Sequence, residues 1–163
     1  MRLAPAELDA YVADLAELAE RYGITLTLSD DESLSIESEP GGGRRFNVVG
    51  SLPDARNPPR ATVEIAEKWQ AVDDAYERSA YRYELIDHQR GYRRAFHRHD
   101  DQWFVSRFGV VVHEHCESPI GETRCPHHFG PPIADGFKGI EALMSAWVAD
   151  SPDCEDLPCL EPI

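Results

Sequence analysis

The chain has 163 residues and is 42% hydrophobic, which suits one globular domain with a single core. A net charge of −14 argues against broad binding to nucleic acid through phosphate neutralisation, and the absence of long apolar runs excludes a spanning helix. The acidity belongs to the ends: residues 1–40 hold ten acids and two bases and residues 131–163 seven and one, whereas 41–130 balance at thirteen of each and leave room for a locally basic cleft.

The start, "MRLAPAELDAYVADL", is acidic and amphipathic and lacks the basic and apolar segments of a signal peptide, so a soluble cytoplasmic protein is expected. In that setting the four cysteines read as thiols. Residues 5–22 predict a helix, with Pro5 in the first turn, Leu8, Tyr11, Val12, Leu15, Leu18, Ala19 and Tyr22 at helical spacing, and Gly23 as the stop. Ile24–Leu28 and Leu34–Ser38 predict a hairpin, and Arg45–Leu52 a third strand after the "PGGGRR" turn. Pro58 and Pro59 mark a loop. Residues 61–66 alternate as a strand does, and the segment to 78 continues with helical or irregular character.

"AYRYELID" and "YRRAFHRH", joined by "HQRG", predict a β-hairpin over 80–99. Phe104–Glu117 reads as one long strand. A closing helix follows Asp135 as N-cap and carries a stripe of Phe137, Ile140, Leu143, Met144 and Trp147. The fold class is therefore α+β, an antiparallel sheet of five to six strands with an N-terminal and a C-terminal helix over residues 1–150. Residues 151–163 read as a flexible acidic tail whose Cys154 and Cys159 have no structural role. Trp69, Trp103 and Trp147 are assigned to packing.

All seven histidines fall between 88 and 128. Because i and i+2 share a strand face, His97 and His99 lie opposite Phe96, Arg98 and Asp100, and His113 and His115 lie opposite Glu114 and Cys116. If these strands pair, the two His-x-His ladders converge. One reading is zinc held by His113, His115 and Cys125, with His127 as a fourth ligand. A second is metal-free acid–base chemistry by His97, His99, His127 and His128, with Arg98 binding phosphate and Asp100 orienting an imidazole. A third is exposed histidines on a polar sheet face, with Arg98 and Asp100 as an ordinary ion pair. Tyr81, Tyr83 and Arg94 are the candidate substrate contacts, although tyrosines at i and i+2 also suit a core face.

"YRYELIDHQRGYRRAFHRHD" followed by "CPHHFG" resembles the TumE-type toxins of bacterial toxin–antitoxin pairs, over about residues 60–130. Tyr81 and Tyr83, Phe96, Arg98 and Asp100, and Pro126, His127 and His128 stand in the order of that family's motifs. Phe96 is displaced by one residue, and the segment between Asp100 and Pro126 is longer than the family pattern. The resemblance implies a toxin that inhibits translation through RNA cleavage, and the His and Arg residues lead to the expectation that this cleavage needs no metal. The partners expected are RNA and an antitoxin or other protein, with a second copy of the chain also compatible, and no membrane.

Overall fold

A computed structural model describes residues 1–26, 34–52, 60–99, 101–123, 125–149 and 154–163. The fold is α+β, as expected. Among the described residues the elements are β1 (Arg2–Leu3), α1 (Pro5–Arg21), β2 (Thr25–Leu26), β3 (Leu34–Ser38), β4 (Arg44–Leu52), β5 (Ala61–Val72), β6 (Ala75–Asp87), β7 (Tyr92–Arg98), α2 (Gln102–Phe108), β8 (Val112–Glu117), β9 (His127–His128) and α3 (Gly136–Val148). All strand pairs are antiparallel. The sheet runs β2-β4-β5-β6-β7-β8-β9, with β1 added to β6 and β3 to β4. No helix among the described residues is long and apolar enough to cross a membrane.

Three expectations need correction. The segment after residue 66 is strand, not helix: Val63, Ile65, Glu67 and Trp69 are all buried at alternate positions, so burial overrides the helical preference of its Ala, Glu, Lys and Gln residues. Asp73, at φ 56°, makes the tight turn into β6. The long strand expected over Phe104–Glu117 begins only at Val112, because Asp101 caps α2 by accepting from the Trp103 amide and Gly109 ends it at φ 69°. Finally, β2 and β3 do not form a hairpin with each other; both pair with β4.

One face of the sheet is covered by α1 and α3. It carries Phe46, Val48, Val63, Ile65, Tyr83, Leu85 and Phe96, against Leu8, Val12, Leu15, Ile140 and Leu143 of the helices. Burying a side chain of this size is worth about 1.5–3 kcal/mol. Inside this core lies the Glu67 carboxylate, 2% exposed. Tyr11 donates to it at 2.9 Å, Trp69 at 3.1 Å and Arg78 at 3.0 Å, and the Tyr83 hydroxyl donates as well. The Gly136 amide donates to the Tyr11 hydroxyl at 2.7 Å, so one buried charge ties α1, two strands and the start of α3 together. Trp69 and Trp147 pack as expected, but Trp103 is 64% exposed.

The cysteines are not thiols here. Cys116 is bridged to Cys154 and Cys125 to Cys159. Nor are residues 154–163 a loose tail: Leu160 donates its amide to the His127 carbonyl and Cys159 forms a β-bridge with His128. Composition alone argued for mobility, and the buried side chains of Cys154 and Leu160 outweigh it.

Candidate metal centre

Strand register brings the histidines together. His97 on β7 is the Cα partner of His113 on β8, and His115 on β8 is the partner of His127 on β9. All four side chains therefore share the face turned away from α1 and α3. His99 continues the β7 row and stacks on His113, with ring centroids 4.9 Å apart. α2 folds over this cluster: Phe104 stacks on His113 at 4.3 Å and Phe108 on His127 at 5.6 Å.

Within the cluster, His97, His113 and His115 are buried and offer ligand atoms that all lie within 4.8 Å of one another. His113 Nε2 and His115 Nε2 are 3.0 Å apart. Two neutral imidazoles make a hydrogen bond there only as opposite tautomers, whereas one cation would satisfy both lone pairs. Ligands at tetrahedral zinc–nitrogen bond lengths sit roughly 3.3 Å apart, so the spacing fits. The His97 Nε2 and His113 Nδ1 atoms are buried without a hydrogen-bond partner among the described residues. An unpaired buried polar atom is costly, and a bound ion would relieve His97 Nε2.

Electrostatics also favour neutral rings. Burial, then the neighbouring imidazoles, push His97 down to about 2 and His113 to about 3, and the same causes, with Arg93, lower His115. Burial lowers His127 too. Neutral imidazole is the form that ligates metal, and a ring this reluctant to take a proton is a poor general acid. Beyond the histidines runs a row of alternating charge across β5 to β8. Glu64 pairs with Arg82, Arg93 bridges Glu84 and Glu117, and Glu117 Oε1 stands 3.9 Å from His115 Nδ1. Arg93 Nη1 lies nearer, 3.4 Å from the same Nδ1, so the carboxylate reaches the ring through Arg93 and not by a direct hydrogen bond. An open groove of roughly 400 Å³ adjoins His97 and His99, lined by Arg45, Asn47, Glu64, Lys68 and Arg82 among others.

The other residues singled out from sequence separate. Arg98 stands on the opposite strand face from His97, where its Nε donates to the Ser79 carbonyl, but it lines the same groove as His97 and His99. His128 faces the helix side opposite Glu114 and is 1% exposed. Asp100 lies outside the described residues. Tyr81 and Tyr83 are 4% and 0% exposed, stacked on each other at 4.9 Å, with their hydroxyls bonded to the Ile133 amide and to Glu67, so the core reading holds and base stacking on them does not. Arg94 pairs with Glu114 at 3.0 Å on the helix side. Cys125 belongs with His128 and Cys159, not with His113 and His115.

Face parity in the sequence puts Glu117 beside His113 and His115, as found, but sequence reasoning gave it no role and missed Arg93 and Phe104 as surroundings of the cluster. Face parity could have found Arg93; Phe104 required the helix that replaced a predicted strand. Compared with protein-family models, curated proteins and solved structures, the chain matches none of them.

Proposed function

We propose that the protein holds a divalent transition-metal ion, zinc by donor preference, on His97, His113 and His115. The observation that carries this reading is the convergence of three buried imidazoles from two paired strands, with His97 Nε2 unpartnered among the described residues. Three protein nitrogens leave a further coordination position for water or a ligand. The groove beside His97 mixes Arg45, Lys68, Arg82 and Arg98 with Glu64 and Glu67, and its arginines support a ligand that carries an anionic group there. Elemental analysis and zinc titration of the purified protein test the reading. About one ion per chain is expected, lost in His97→Ala and His113→Ala; a wild-type chain that binds none at neutral pH overturns it.

The second reading is the RNA-cleaving toxin that the sequence resembles. The same groove, with Arg45, Lys68 and Arg82 near the half-buried His99, favours it. Here cleavage of single-stranded RNA and inhibition of bacterial growth would persist in chelator, and His99→Ala would abolish both. Cleavage that vanishes on chelation returns the chemistry to the metal. The cytoplasmic location expected from the sequence stands against the two disulfides and is tested by fractionation of the source cells.

A further inference from the structure

A second donor cluster lies on the opposite side of the β8–β9 pair. The Cys125 and Cys159 sulfurs and a His128 ring nitrogen all fall within 4.8 Å of one another. His128 is 1% exposed, and neither of its ring nitrogens has a hydrogen-bond partner among the described residues. An imidazole buried with both nitrogens unsatisfied calls for an explanation, and the two adjacent sulfurs supply one.

The two bridges differ in access. Cys116 and Cys154 are 1% and 4% exposed. Cys125 is half-buried, Cys159 is exposed, and both line a cavity of roughly 800 Å³ together with Glu122, Thr123, Glu155 and Glu161. Cys154 lines the same cavity but is buried, so a reductant meets the more exposed Cys125–Cys159 bridge first. Opening it does not release the segment, because the Leu160 amide still bonds the His127 carbonyl at 2.8 Å and the Cys116–Cys154 bridge still anchors residue 154. The freed sulfurs stay beside His128.

We propose that reduction of Cys125–Cys159 creates a second metal site, in which the two thiolates and His128 bind a zinc-class cation with a fourth position open to the cavity. A dithiol reductant donates two electrons and two protons as the S–S bond breaks, and leaves as its own disulfide. The cation then displaces the two thiol protons, forming two metal–sulfur bonds and releasing both protons to solvent. The bridge and the metal are alternatives at one place: oxidised, the cluster holds no metal; reduced, it does.

The test compares the full chain before and after dithiothreitol, with the reductant removed anaerobically and cobalt(II) added. Reduced protein is expected to show thiolate-to-cobalt charge transfer in the near ultraviolet and to bind one more equivalent than oxidised protein. The three-histidine centre gives no such band, so the two sites are told apart. His128→Asn should weaken the added binding by more than about 100-fold, beyond the range of outer-shell changes. The double variant Cys125→Ser, Cys159→Ser should show no band. Reduced wild type with two titratable thiols, unchanged circular dichroism and no charge-transfer band overturns the proposal. So does loss of folded structure on opening this bridge, since the site needs the segment to stay docked. Should all four cysteines open, Cys116→Ser, Cys154→Ser confines the thiols to this pair, and the band must then appear.

Discussion

His127 and His128 are consecutive in the chain and serve opposite faces of one sheet: His127 lies against His115, with ring centroids 4.4 Å apart, while His128 stands opposite Glu114 on the helix side. A motif that reads as one catalytic pair in sequence is split between two clusters by the alternation of a two-residue strand. Substitution at one position should therefore leave the chemistry of the other face intact.

Glu117 should tune the three-histidine centre without ligating it. Its carboxylate pairs with Arg93 at 2.7 Å and stands behind His115. Glu117→Ala is expected to weaken zinc by about 10–100-fold while leaving a folded protein, measured by competition with a chromophoric chelator. Unchanged affinity would remove Glu117 from the site.

Acid should unfold the metal-free protein progressively. Burial holds His97 at about 2 and His113 at about 3 in the fold, against an ordinary value of 6.5. Below about pH 6.5 the unfolded chain takes up protons that the folded chain refuses, so stability is full above that pH and falls beneath it. At pH 5 the loss is about 2 kcal/mol per histidine. Denaturant midpoints measured from pH 7.5 to 4.5 check the slope, and His97→Asn should flatten it.

The strand alternation that splits His127 from His128 was legible in part. His97 with His99, and His113 with His115, were placed correctly on common faces by counting in twos, and Ile140, Leu143 and Met144 by counting helical turns. What could not be read was which strands are neighbours, since pairing depends on contacts distant in sequence. Glu67 shows why the β5 reading went astray: a carboxylate in a buried position looks polar until Tyr11, Tyr83 and Arg78 arrive from elsewhere. The cysteine pairs were illegible for the same reason, with partners 38 and 34 positions apart in the chain.

Glu67 should be the costliest single polar residue to lose. Glu67→Ala leaves Arg78, whose side chain is 7% exposed, without its buried counter-charge, and about 3–5 kcal/mol of stability is expected to go. Tyr11→Phe removes one hydrogen bond to the carboxylate and should cost about 1.5–3 kcal/mol. Urea denaturation of both and of the double variant reads the coupling; strict additivity would mean that the network does not act as a unit.

Gly139→Ala should destabilise despite the better helix former. A β-carbon there would lie 2.6 Å from the Tyr83 ring, with the sheet behind it. Helix propensity favours alanine by about 1 kcal/mol, but overpacking costs about 1–3 kcal/mol. A thermal midpoint below wild type is the expected result, and a raised one would show that α3 can shift away from the sheet.

The Cys116–Cys154 bridge has a consequence for which side of β8 is which. A strand that slips by one residue exchanges its two faces, and β8 could in principle present Glu114 and Cys116 where His113 and His115 now lie. Cys116 is tethered on the helix side, to a partner that is itself buried there. The covalent link therefore acts as a parity lock: it stabilises the fold and also keeps His113 and His115 on the face where the histidines meet.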